Sequence, residues 1–456
     1  MKNAAIFFFL TFVTAAATPA DKKSDLQSYE LHSARQSGEL ARVQIQLDVG
    51  GDLKFQPGAE KADPVKMMVS ARLAYDEKLV EMASQPGATV RAVRHYDNAT
   101  AELKIGQNQF QPILRDQRRL IAVKLDGGRP LLFSPAGPLF REELDLIDVP
   151  GCSALVDQLL PVKRVATGDH WQHSDQLMAG LLGLDEVRQN SAVSELSAVA
   201  DGIARMQISG RVEGSVDGAA TQIELKGKYQ FDTQTNRIIW FGLLIKEDRK
   251  PGDVASGMEV VARLQMRIAT LEQSKELAEA KLRGLPLEPT PPLTQLACRS
   301  PSNTWLLAHD RSWYLTTDDR DRTVLRLLNQ GQRIAQCNIA PLARDEAGKV
   351  LPLEQFQDRI RTALGKHFGQ FVEAGESVSP SKYRALRVVV RGEVSDLPIQ
   401  WYYYLIAGDH GRQVVFTFTV ASELVDRFGD ADQKLVRAFR FEDPAMSAKP
   451  TVLPRQ

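Results

Sequence analysis

The chain has 456 residues, room for two or three domains, with 43% hydrophobic and 25% charged residues, an ordinary balance for a folded protein. Lys plus Arg and Asp plus Glu both number 57, so the overall charge gives no electrostatic footprint for nucleic acid or an anionic membrane. Three cysteines, Cys152, Cys298 and Cys337, exclude the disulfide-framed scaffold of a small secreted domain.

Lys2 precedes an apolar run from Ala4 to Ala17, and small residues up to Ala20 separate it from Asp21-Lys22-Lys23. That order is that of a secretory signal peptide at 1–20, and the run is too short to span a bilayer, which takes about 20 residues. The expectation is an exported protein, secreted or periplasmic, with no transmembrane segment after cleavage. Residues 21–38 are polar and aperiodic, and read as a mobile leader.

A β-rich domain is expected over 39–283. Its clearest strand places Thr221, Ile223, Leu225, Tyr229 and Phe231 on one face and Gln222, Glu224, Lys226, Lys228 and Gln230 on the other. Such alternation means an antiparallel sheet with one wet face. Further strands are expected at 41–48, 67–76, 89–95, 100–106, 119–125, 192–199, 203–213, 238–245 and 258–270, with short helices near 153–160, 174–183 and 274–283. Long consecutive strands with little helix imply a curved sheet or half-barrel. Ile238–Ile245 is apolar on both faces, so Ile238, Trp240, Leu243 and Ile245 are candidate walls of an apolar ligand cavity; a central strand covered on both sides is the other reading.

Gly284 and Pro286, Pro289, Pro291 and Pro292 mark a linker over 284–302. Over 303–443 the pattern is an α+β domain with short strands at 304–308, 312–317, 323–328 and 332–339. A helix at 353–368 stripes Leu353, Phe356, Ile360, Leu364 and Phe368, and long strands follow at 382–393, 397–407 and 412–421. Residues 444–456 read as a frayed tail. In the 397–407 strand, Trp401 and Tyr403 oppose Tyr402 and Tyr404; one pair is core, the other packed beneath a helix or exposed for contact.

The element order of 303–443, closing on Phe439-Arg440-Phe441, resembles the PsbP-like fold, which implies an α/β/α domain used for binding and assembly, with no shared catalytic residues. Over 40–272, Leu159-Leu160-Pro161-Val162 leading to Gly168-Asp169-His170-Trp171, and Gly227-Lys228-Tyr229-Gln230-Phe231-Asp232, are similar to secreted bacterial proteins of unknown function with a LolA-like half-barrel layout. That resemblance implies a curved sheet and covering helices around a cavity for acyl chains.

Chemistry-bearing clusters are few. Asp169, His170, His173 and Asp175 are the densest set of metal-ligand types, though each also suits a turn or a helix entrance, so no metal is assigned. Glu142, Glu143, Asp145 and Asp148 read as a solvated acidic edge rather than a glycosidase pair. Arg115, Arg118, Arg119 and Lys124 read as charges guarding a strand edge. Cys298 and Cys337 could bridge the start of the second domain to one of its strands; buried free thiols are the alternative. No G-x-S-x-G, H-E-x-x-H, C-x-x-C, Walker loop or dinucleotide G-x-G-x-x-G occurs, and no cofactor is implied. The expected function is non-enzymatic: binding an apolar ligand or a protein partner in the cell envelope. The alternatives are a structural or assembly protein with packed sheets, or a hydrolase with a dispersed site near His170 and His173.

Overall fold

The computed structural model describes residues 27–54, 63–82, 89–319, 321–343 and 351–442. The export segment at 1–20, the leader up to residue 26 and the tail at 444–456 lie outside the described residues.

The first part of the chain forms one 13-stranded sheet. Its central strands are long: Leu40–Lys54, Val65–Glu81, Val90–Ile105, Ile203–Val216, Ala219–Asp232, Arg237–Arg249 and Gly257–Leu271. All pair antiparallel, and Gly257–Leu271 bonds to Leu40–Lys54, which closes the two halves of the sequence into one sheet. Alternation sets the faces. Val43, Ile45, Tyr75, Ile223, Tyr229, Leu264 and Met266 point to one core, and their neighbours along the strand face solvent. Leu196 near one end of the sheet and Leu132 at the other belong to that same core, so the sheet wraps around its contents. Those contents are the segment 139–184, with helices Arg141–Ile147 and Asp175–Leu182 and a 3-10 turn at Val156–Leu159.

The second part forms a seven-stranded antiparallel sheet. One face carries Phe416, Phe418, Tyr402 and Tyr404 beneath the helices Val425–Phe428 and Ala431–Arg437. The other carries Val388, Val390, Trp401 and Leu405 beneath the helix Leu353–Leu364. Both aromatic pairs are therefore packed: Trp401, Tyr402 and Tyr404 are buried and Tyr403 is half-buried. The expected helix stops at Leu364, and Phe368–Val378 is an additional edge strand that the sequence pattern did not disclose.

Three further expectations change. Residues 27–38 are not a loose leader: Ser28–Tyr29 pairs with Val165–Ala166, and Leu31 and Arg35 are buried. Of the helix at 274–283 a single turn remains, Glu279–Leu282. The 284–302 stretch is no free spacer either. It contains the turn Pro291–Thr294 and the strand Leu296–Arg299, which runs parallel to Leu139–Phe140 and antiparallel to Trp305–His309. A four-stranded sheet, completed by Phe439–Phe441, thus joins the two parts.

Candidate functional site

The expected cavity wall is divided by a β-bulge. Phe231 pairs with Ile238 and Gln230 with Trp240, which leaves Ile239 without a partner between them. An extra residue shifts the side-chain alternation by one position. Ile238 therefore points inward before the bulge, Phe241, Leu243 and Ile245 point inward after it, and Trp240 is turned to the outer face. The four residues do not share a surface. Ile238, Leu243 and Ile245 are core side chains, and Trp240 lies over Gly242, where a Cβ would come within 2.5 Å of its ring.

Between the sheet and the 147–152 segment, bordered by Tyr75, Arg94, Tyr96 and Cys152, a cavity of about 10 Å³ remains, the size of one water at most. Beside it a charged cluster ties the filling to the sheet. Glu77 and Arg94 are cross-strand neighbours, both inward and buried. Arg94 Nε donates to Glu77 Oε2 (2.8 Å), Arg35 Nη2 to Glu77 Oε1 (3.0 Å) and Ser153 Oγ to Glu77 Oε2 (2.6 Å). Tyr75 OH lies 2.9 Å from Ser153 Oγ, and Arg94 Nη2 donates to Ser153 Oγ and Cys152 Sγ, each at 3.0 Å. Arg35 also reaches the Ser153 carbonyl (3.2 Å) and Asp157 (3.4 Å). Burial alone would raise the Glu77 carboxyl, but Arg94 and Arg35 hold it below the ordinary carboxylate range. At Asp157 burial outweighs Arg35 and the shift is upward. The cluster locks three pieces of chain together: the 27–38 segment, the sheet and the 152–157 turn. With every oxygen of Glu77 engaged and no open path to it on this face, it suits structure rather than turnover. Sequence pattern could have flagged it, because Glu77 sits in phase with inward Leu73, Tyr75 and Leu79.

The His and Asp cluster is dispersed. His170 Nε2 lies 3.5 Å from Glu195, and His173 Nε2 lies 2.7 Å from Ser194 Oγ. Glu195 and Ser194 are successive strand residues and face opposite sides of the sheet, so the two imidazoles do too. His173 is buried, which lowers its pKa to about 4, whereas His170 is exposed. Asp169 accepts from the Ala166 amide (2.8 Å) and Asp175 from Asn190 (3.1 Å), while Ser174 caps the helix. Turn and capping duties absorb the set.

The acidic run is a solvated edge in part: Glu142 and Asp145 are exposed, Asp148 is half-buried and Glu143 is buried. It lies on and just after the helix Arg141–Ile147, and Glu143 is buried in a two-pronged pair with Arg115, Nε–Oε1 2.5 Å and Nη2–Oε2 2.6 Å. Asp145 pairs with Arg141 (3.2 Å) and Asp148 with Arg129 (2.9 Å). Of the expected edge cations, Arg115 thus serves the interior, Arg118 donates to the Pro138 carbonyl (3.1 Å), and Arg119 and Lys124 pair locally with Asp116 and Asp126. The Cys298–Cys337 bridge is absent. All three cysteines are buried free thiols; Cys298 lies in the four-stranded sheet and Cys337 in the seven-stranded one.

A sizeable concavity lies on the outer face. It measures about 540 Å³ and is bordered by Arg42, Gln44, Gln230, Ile239, Trp240 and Arg267. The bulge creates it by turning Trp240 outward beside Arg267, its cross-strand neighbour. Arg42 is held by Asp76 (2.9 Å) and by Asp97. Arg267 is exposed and has no hydrogen-bond or ion-pair partner among the described residues. An aromatic side chain beside an uncommitted guanidinium can bind a group that is part apolar and part anionic.

No family model matches this chain, and no curated protein matches it in sequence. Solved structures resemble parts of it at the level of fold. A Bacteroides thetaiotaomicron protein is 9% identical over 33% of this chain and 49% of its own, with a TM-score of 0.24; the chain spans about half the length of that protein. Cyanobacterial PsbP from Synechocystis is 12% identical over 32% of this chain and 92% of its own (TM-score 0.27). The Ran-binding protein Mog1p of Saccharomyces cerevisiae is 12% identical over 33% and 97% (TM-score 0.26).

Proposed function

We propose that this is an exported, non-catalytic protein of a bacterial cell envelope that acts through its sheet faces rather than by enclosing an apolar ligand. The observation that carries the reading is the segment 139–184 packed into the core of the sheet, with a pocket of only about 10 Å³ between its 147–152 stretch and the strands. The Arg35–Glu77–Arg94–Ser153 cluster fixes the filling in place, and withdrawing it would strand buried charges. In this reading the 303–443 region is a PsbP-like α+β interaction module, held to the wrapped sheet through Leu296–Arg299.

Native mass spectrometry of the exported protein, followed by lipid extraction of the same sample, tests the proposal. The expected result is the mass of the bare processed chain. A co-purifying acyl compound would overturn the reading and restore the carrier.

A further inference from the structure

Register places four rows of side chains across the outer face of the large sheet. Arg205, Gln230, Trp240, Arg267 and Gln44 lie side by side in the first. The second holds Lys228, Gly242, Gln265, Gln46 and Arg72. The third holds Lys226, Leu244, Arg263 and Asp48, and the fourth Lys246, Val261, Gly50 and Met68.

The seven Lys and Arg of these rows are all exposed, and none has a carboxylate within 4 Å among the described residues, although Asp48 attracts Arg72 and Arg263 and Glu224 attracts Lys226 and Lys246 at longer range. Of the carboxylates nearby, Asp48 and Glu224 already accept hydrogen bonds, while exposed Glu102 stands opposite Ser70 at the margin of the third row. Asp48 accepts from Gln46 (3.0 Å) and Ser70 (2.8 Å), and Glu224, beside Lys246, accepts from Arg211 (2.6 Å). Among the cations stand apolar side chains with nothing over them: Met68 is 63% exposed, Val261 48% and Leu244 40%. Half-buried Trp240 and its cleft complete the patch. The chain's balanced total of charge therefore hides a cationic face.

We infer that this face docks on an anionic membrane surface, its cations on lipid phosphates and Trp240, Leu244, Val261 and Met68 at the headgroup boundary. The inference rests on the proposed reading, since it names the partner of a sheet face. Two features favour a membrane over a soluble acidic polymer. The cations spread in two dimensions, two to four strands apart within a row, which is about 10–19 Å at strand spacing, rather than lining one groove. Exposed Leu, Val and Met gain nothing from a hydrated polyanion but gain burial at a bilayer interface, where Trp is also favoured. Among the described residues no helix is long and apolar enough to cross a membrane, so this contact would be made by the sheet face.

The test is sedimentation of the processed full chain with vesicles of phosphatidylcholine alone or mixed with phosphatidylglycerol. Binding is expected only to the mixed vesicles and weakens with salt. Each cation removed lowers partitioning about fivefold, so Lys228→Gln with Arg263→Gln lowers it about 25-fold. Quenching of tryptophan fluorescence by brominated lipid is expected to drop in Trp240→Phe. Thermal melting, unchanged in all variants, shows that the fold is retained. No phosphatidylglycerol-dependent binding, binding that the double variant keeps, quenching that Trp240→Phe leaves intact, or capture by dextran sulfate but not by vesicles would each overturn the inference. None of those failures would introduce an acyl ligand into the interior, so they leave the proposed function standing or falling on its own test.

Discussion

Gly218 and Gly331 meet backbone to backbone. Each is the second residue of a tight hairpin turn, Asp217-Gly218 in the wrapped sheet and Gln330-Gly331 in the seven-stranded one, with positive φ at both positions of each turn. A Cβ on Gly218 would lie 2.5 Å from the Gly331 Cα, so the two tips touch with no room for a side chain. Around them Tyr314 OH donates to Asp217 (2.8 Å), the Arg141 guanidinium lies over the Tyr314 ring, and Arg326 donates to the Asp253 carbonyl. Gly218→Ala is expected to loosen this junction. Gly202→Ala is the control: its φ of +76° matches the +77° of Gly218, but its added Cβ would meet nothing closer than 3.5 Å. Both should lose roughly 1–2 kcal/mol of stability, because Ala incurs the left-handed backbone strain that Gly does not. Melting curves should show a further loss in Gly218→Ala alone, and equal losses would deny the contact its role.

Glu77 is expected to be the most sensitive charged position in the chain. Replacing it by Gln leaves Arg94 buried without a counter-charge and Arg35 with Asp157 alone, at about 3–5 kcal/mol. Its carboxyl is depressed in the folded state, so the stability it contributes is complete above the unfolded value near 4.3 and is lost as pH falls through the lower native value. Urea unfolding should therefore show the Glu77→Gln deficit shrinking as the solution is acidified below about pH 4. A deficit independent of pH would point to packing instead.

His173 gives a second acid signature in a separate window. The folded value of about 4 lies below the unfolded value near 6.5, because burial disfavours the imidazolium. Below about pH 6.5 the unfolded chain takes up a proton that the native chain refuses, so stability falls with pH down to about 4, at roughly 1.4 kcal/mol per unit. His173→Gln should flatten that slope, and unfolding curves at several pH values will read it. An unchanged slope would place the titration elsewhere.

The thiols should be silent in the native protein. Burial pushes Cys298 up to about 12 and Cys337 well above the ordinary thiol range. A buried, protonated thiol is a poor nucleophile. Alkylation of the exported protein is expected to modify none of the three in buffer and all three in denaturant, with or without reductant. Modification that requires reductant in denaturant would reveal a disulfide.

Legibility followed the physics of each element. The 219–232 strand was plain because one of its faces is wet along its length, so polarity alternates. Phe368–Val378 escaped because it is an edge strand with most of its residues exposed, and Phe368 falls on the stripe of the preceding helix. The bulge at Ile239 is set by how Arg237–Arg249 registers on its neighbour, which an apolar run cannot reveal, and it moved Trp240 off the wall proposed for it. The cationic face was invisible for another reason. Its charges cancel in the composition and separate only when strands distant in sequence lie side by side.

Leu296 and Cys298 are two residues apart, yet one belongs to the core of the wrapped sheet and the other to the core of the second unit. The short strand that carries both is hydrogen-bonded on one edge to Leu139–Phe140 and on the other to Trp305–His309. Neither unit can melt without exposing part of the other's interior. The chain should thus unfold as one cooperative block, giving a single calorimetric peak whose enthalpy reflects its whole folded length, and a cut through 296–299 should cost both halves their solubility.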